Sequence, residues 1–290
     1  MKKIVYFFIG LFVILIVVSI VLTFIGSHVP IGDKIGLIRV EGVILSSKET
    51  IKEFKKYRDD PSIKVIVLRV ESPGGAVVPS QEIYEEVRKT ALKKKVVVSM
   101  GSLAASGGYY ISAPATKIIA NQATITGSIG VIMEMANISG LMEKLGIKSE
   151  VIKAGKHKDL ASLYRGVGKE ERAILQGVID DIHSQFIEAV SVGRHMPIDK
   201  VRTLADGRIF TGRQALQLGL VDKIGTLQDA IKEAAEMAGI KGEPQVVTKK
   251  EEFSLSDVFS NELGSGISNG IGSYLYRKLP PFTLNYKMYF

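Results

Sequence analysis

The chain has 290 residues and a net charge of +8, with 46% hydrophobic and 23% charged residues. That size suits one large α/β domain or two small ones, and the composition excludes a disordered or fibrous protein. The lack of cysteine excludes a disulfide scaffold, an iron–sulfur centre, a cysteine zinc site and thiol catalysis, while His28, His157, His183 and His195 stand too far apart for a metal cage. Lys and Arg are scattered among Asp and Glu with no basic stripe interleaved with aromatics, so no nucleic-acid partner is expected. The excess positive charge suits an anionic membrane surface.

From Ile4 to Gly26 the chain runs 23 residues without a charge. A helix of that length spans roughly 35 Å, against about 30 Å of hydrocarbon. Lys2 and Lys3 precede it and the next formal charge is Asp33. This predicts an uncleaved single-pass anchor at 4–26, with residues 1–3 cytoplasmic and the rest extracytoplasmic. A cleaved signal peptide would have a shorter apolar region and a small-residue cleavage site.

After the anchor, strands and helices alternate. Lys34–Val43 reads as a strand and Lys48–Asp60 as a surface helix. Ile63–Val70 is a β-branched run suited to a strand buried on both faces, and Pro79–Leu92 has helical spacing. Lys95–Met100 is a second buried strand. Short elements follow at Ala104–Ala113, Lys117–Ala120 and Lys148–Lys153. A long helix runs from about Lys169 to Gly193, with Leu175, Ile179, Ile182, Phe186 and Val190 in one stripe. Arg208–Lys223 reads strand, helix, strand, and Leu227–Met237 helix. This order predicts an α/β domain over 33–250 with largely parallel pairing. No Pro/Ser linker divides it. Residues 251–290 form a Ser/Gly-rich tail with an apolar, aromatic end that docks on the domain, a neighbouring subunit or the membrane.

Two glycine-centred turns follow buried strands. In Glu71-Ser72-Pro73-Gly74-Gly75, paired glycines permit a sharp turn that exposes backbone N–H groups, as an oxyanion site requires. An ordinary strand-to-helix turn would look the same. In Ala104-Ala105-Ser106-Gly107-Gly108-Tyr109-Tyr110, Ser106 stands where a nucleophile would be accessible, or where a helix N-cap is favoured. A serine nucleophile requires a base, and no histidine lies between Gly107 and Lys156. A lysine kept neutral by burial is the other partner for such a serine. Lys153, Lys156 and Lys158 are the candidates, and spacing does not choose among them.

Together SPGG (72–75), LAASGGYYISAPA (103–115), TGSIGV (126–131), KAGKHKD (153–159) and DGRIFTGRQALQLGLVDKIG (206–225) resemble the signal peptide peptidase A family, membrane-anchored Ser/Lys peptidases. The likeness extends from the anchor to about residue 240, and the chain is similar to the short, single-domain branch. The resemblance implies a ClpP/crotonase-like spiral of ββα units. It implies Ser106 as nucleophile, Lys158 as general base, Ser128 as the hydroxyl that orients the lysine amine, and Gly75 and Gly107 as oxyanion donors. It further implies a homo-oligomeric ring, remnant signal peptides and other apolar peptides as substrates, and no metal or cofactor. Glu71 departs from the Asn or Asp more often found before SPGG, with little effect expected on the donors. An acyl-CoA crotonase and an inactive membrane-anchored scaffold are the rival readings.

Overall fold

The computed structural model of the chain describes residues 10–19, 32–249 and 284–287. Residues 10–19 are helical and exposed. No helix among the described residues is long and apolar enough to cross a membrane, and the rest of the expected span at 4–26 lies outside them.

In chain order the elements are β1 (Lys34–Glu41), α1 (Lys48–Asp59), β2 (Ile63–Ser72), β3 (Gly74–Ala76), α2 (Val77–Ala91), β4 (Lys95–Ala105), α3 (Gly107–Ser112), β5 (Lys117–Ala120), β6 (Ile125–Gly127), β7 (Ile132–Met133), α4 (Ser139–Lys144), α5 (Lys169–Arg194), α6 (Ile198–Leu204), β8 (Ile209–Thr211), α7 (Gly212–Leu218), β9 (Lys223–Ile224), α8 (Leu227–Met237), β10 (Gln245–Thr248) and β11 (Leu284–Lys287). The main sheet runs β10-β1-β2-β4-β5-β9, all parallel, with β6 parallel to the far end of β4 and β8 antiparallel to β6. A second sheet, β3-β11-β7, is antiparallel.

The central strands are buried on both faces, as their unbroken apolar runs predict. Ile66, Leu68, Val96 and Val98 point into the larger core, with Phe54 of α1, Val87 of α2, Ile111 of α3 and Phe186 of α5. Their neighbours Val65, Val67 and Val97 point to the opposite face, where Ala230, Ala234 and Ala235 of α8 allow close approach. Tyr110 joins three helices, its ring 4.9 Å from that of Tyr84 and 4.8 Å from that of Phe186. The helix expected from Pro79 starts two residues earlier. Pro79 then lies in the first turn, where a missing N–H removes no helical bond.

One expectation is corrected. Residues 148–153 carry no regular structure, because they are exposed and pair with no strand edge. The expected stripe along α5 is the face turned inward: Leu175, Phe186 and Val190 are buried and Ile179 and Ile182 half-buried, while Ile174 and Val178, off the stripe, are exposed.

The Tyr109 ring is fully buried and its hydroxyl donates to the Leu220 carbonyl at 2.9 Å. Burial pushes the phenol's pKa up, so it remains a donor. Tyr109→Phe leaves that carbonyl unpaired and should cost about 1–3 kcal/mol, read as a lower denaturation midpoint.

Candidate active site

The parallel ladder between β4 and β6 pairs Ala105 with Gly127, and it places Ser106 and Ser128 one residue beyond that pair. The Ser106 N–H donates to the Gly127 carbonyl at 2.8 Å, and the Ser106 carbonyl accepts from Tyr110 N–H at 2.8 Å. Held from both sides, Ser106 adopts φ 54° and ψ −118°, a conformation that costs a non-glycine residue of order 1–3 kcal/mol. Its side chain makes no cap hydrogen bond, which removes the N-cap reading of this serine. Ser128 is also at positive φ, 51°, and its N–H donates to the Arg208 carbonyl at 2.8 Å. Among the described residues only Ala161 and His195 are further non-glycine residues with positive φ.

The glycines flanking Ser106 permit backbone contact. A Cβ on Gly107 would stand 2.7 Å from Ser80 Oγ, 3.1 Å from the Gly74 Cα and 3.2 Å from the Gly75 nitrogen. A Cβ on Gly75 would stand 2.1 Å from the Ile44 carbonyl oxygen. Gly75 and Gly107, far apart in sequence, therefore lie against each other beside Ser106. Ser72 Oγ, fully buried, accepts the Gly74 N–H at 3.1 Å and helps to form the turn.

Lys158 stands apart from this cluster. It lies on an exposed turn, its N–H donating to the Gly155 carbonyl at 3.1 Å, and no hydrogen bond joins it to Ser106 or Ser128. The surrounding ion pairs nevertheless separate the three candidate lysines. Lys153 pairs with Asp159 and Lys156 with Glu170, whereas Lys158 has no carboxylate partner among the described residues. Arg165 ties the same segment to α5 by bonding both Asp159 and Glu171. Its guanidinium, joined by Lys153, holds the Asp159 carboxyl well below the usual range. Arg165 also lowers Glu171 to about 2.

Residues 88–241 match the model of peptidase family S49. A Synechocystis sp. protein provisionally named a protease is 46% identical over 71% of this chain and 75% of its own length. A Methanocaldococcus jannaschii protein, also provisionally named a protease, is 37% identical over 95% of this chain and 96% of its own. An Enterococcus faecium protein provisionally named signal peptide peptidase SppA is 39% identical over 69% and 62% respectively. The chain belongs to peptidase family S49.

It is thus a serine peptidase, consistent with the SppA resemblance. In this S49 peptidase Glu71 does more than the sequence suggested. Its carboxylate accepts the Ser102 and Leu103 N–H groups, both at 2.9 Å, where β4 shifts register against β2 between Val70 and Ser72. It also faces Arg69 at 3.6 Å. Those two N–H groups belong to the stretch that leads into Ser106. Gly101 leaves room for the carboxylate, as a Cβ there would stand 1.7 Å from Glu71 Oε2. The only sequence signal was an acidic side chain at the end of a strand, where a carboxylate facing water is equally at home.

Glu71→Ala should lower stability by about 1–2 kcal/mol in urea denaturation, with Glu71→Gln, which keeps one acceptor, losing less. The depressed carboxyls predict acid sensitivity of the Lys158 segment. Folded-state values below the unfolded range of about 4 stabilise the segment above that pH, and the effect disappears as pH falls toward 2. Amide exchange protection over 159–171 should be constant from pH 7 to 5 and drop by pH 3.

Proposed function

We propose that this serine peptidase cleaves apolar peptides, remnant signal peptides among them, with Ser106 as nucleophile and Lys158 as general base. The observation that carries the reading is the meeting of Gly75, Gly107 and the strained Ser106 at one point. There the Ser106 oxygen attacks the scissile carbonyl while the N–H groups of Gly75 and Gly107 bind the oxyanion. Neutral Lys158 accepts the serine proton and returns it to the leaving amine. Ser128, one residue beyond the Gly127 carbonyl that anchors Ser106, orients the lysine amine. Water then releases the acyl-enzyme.

Several observations support the wider reading. A groove of about 520 Å³ beside β7 has a mostly apolar lining that includes Ile132, Met133 and Leu175, with Glu134, Arg172 and Gln176 also on it, which suits a largely apolar substrate. The segment that carries Lys158 exposes Leu141, Leu145, Ile147, Val151 and Ile152. A neighbouring copy in a homo-oligomeric ring would cover these side chains and bring Lys158 out of water. The succession β2-β3-α2 followed by β4-α3 fits a ClpP/crotonase-like spiral. The exposed apolar helix at 10–19 fits a membrane anchor, with the peptidase domain extracytoplasmic and the N-terminus cytoplasmic.

Ser106→Ala and Lys158→Ala should each abolish hydrolysis of a short apolar peptide while leaving the fold intact by circular dichroism. Lys158→Arg should be equally inactive, because a guanidinium cannot give up its proton at neutral pH. Gly107→Ala, by forcing the two donors apart, should lower kcat by about 10²–10³. Full activity in either the Ser106 or the Lys158 variant ends this assignment.

A further inference from the structure

Four neighbouring strands of the main sheet begin at or beside a lysine: β1 at Lys34, β2 at Lys64, β4 at Lys95 and β5 at Lys117. Their pairing is parallel, with Lys34 opposite Ile63, Val65 opposite Lys95 and Val97 opposite Lys117. The four lysines therefore lie along one edge of the sheet. Helices α1 and α2 end at the same edge, and Lys94 ties them together. Its ammonium donates to the Tyr57 carbonyl at 2.8 Å and to the Asp60 carbonyl at 2.5 Å.

Lys55 and Lys56 of α1 are exposed, as are Lys89, Lys93 and Lys95 around the end of α2. None of these five has a carboxylate partner among the described residues. The acidic groups nearby are already engaged, Asp33 by Lys64, Asp59 by Arg58, Asp60 by Ser62 and Glu233 by Lys117 and Lys223. Leu92, between Lys89 and Lys93, is 80% exposed. Cations around a protruding apolar side chain suit a bilayer surface, where ammonium groups meet headgroup phosphates and the leucine enters the boundary beneath them.

The course of the chain brings a bilayer to this edge. β1 starts at Lys34, eight residue steps after Gly26, where the apolar run ends. Eight steps reach at most about 28 Å. In contrast, β4 carries the chain from Lys95 on this edge to Ala105 beside Ser106, ten steps or roughly 33 Å away. The cleft bounded by β3 and β7 belongs to that far end, since β3 follows the carboxyl end of β2.

We propose that the face formed by the ends of α1 and α2 docks on anionic lipid headgroups, with Ser106 held outward at the other end of β4. This rests on the anchor reading given above. A tether limits only the distance of the domain from the membrane; contacts at several lysines also fix which end faces the lipid. A peptide then enters the cleft from the aqueous side, after it has left the bilayer.

The chain has no cysteine, so a single bimane label can be placed through Leu92→Cys, with Ala123→Cys at the exposed carboxyl end of β5 as the control. The full chain is reconstituted into phosphatidylcholine vesicles, with or without phosphatidylglycerol, that carry a nitroxide-headgroup lipid as quencher. The label at 92 should be quenched only where phosphatidylglycerol is present and recover in 1 M salt, where the Debye length is about 3 Å. The label at 123 should stay bright throughout. Lys89→Gln combined with Lys93→Gln should lower the docked-to-free ratio roughly thirtyfold, each lysine at an anionic surface being worth about a factor of five. Protein that floats with the vesicles overturns the inference, and leaves the anchor reading standing, if its label at 92 stays bright. Equal quenching without phosphatidylglycerol, equal quenching of both labels, or a response of the 92 label to added RNA and not to lipid does the same. Protein that does not float with the vesicles at all overturns both.

Discussion

The backbone at Gly75 packs against Ile44, and that at Gly107 against Ser80 and the Gly74–Gly75 backbone, too tightly for a side chain to fit without a shift. A single Cβ at either position would stand within 3 Å of a neighbouring oxygen. This contact brings the end of β3 against the start of α3, and both carry groups able to donate to the same point. The geometry of Ser106 follows from it. The residue must reverse direction between β4 and α3 within one step, which forces positive φ, and the Gly127 and Tyr110 hydrogen bonds hold it there. The strain is stored by the surrounding sheet, whose central strands are sealed in apolar packing on both faces.

The point where Ser106, Gly75 and Gly107 meet is thus rigid, whereas the segment that bears Lys158 is attached by charge. Arg165, Asp159, Glu171, Lys153, Lys156 and Glu170 form a surface network, and among the described residues Lys158 is the lysine of its segment that this network leaves without a carboxylate. Surface ion pairs contribute little each, so the arm depends on what covers it more than on its own contacts. The same division appears at the cleft. Its β3 wall is fixed by Ile44, while its β7 wall belongs to the outer part of the chain and needs β11, or a peptide like it, to complete a sheet.

Much of the core was legible because its periodicity is local. Ile63–Val70, Lys95–Met100, Lys117–Ala120 and Leu227–Met237 became strands or a helix as their patterns required, since burial on both faces or on one stripe leaves a direct trace in residue type. Short elements such as β6 and β7 left no such trace, because two or three residues carry no period. From the sequence Glu71 is expected to leave the oxyanion donors little changed and to act on the local electrostatics, yet it supports the turn into Ser106 through two backbone N–H groups more than thirty positions away. Pairings of that range have no signature in a single sequence.

The amino-acid order determined by itself which glycines and serines sit at the strand ends, and with them the family, because tight turns admit few residue types and those types can be read directly. It also determined the apolar run near the start and the compositional break after Lys250. Only tertiary structure decided that Gly75 meets Gly107, that Ser106 is strained instead of capping a helix, and that residues 284–287 return to pair with β3. Each of these is a contact between segments distant along the chain. Such contacts depend on how the whole sheet closes, a property of the packed molecule that no local pattern records.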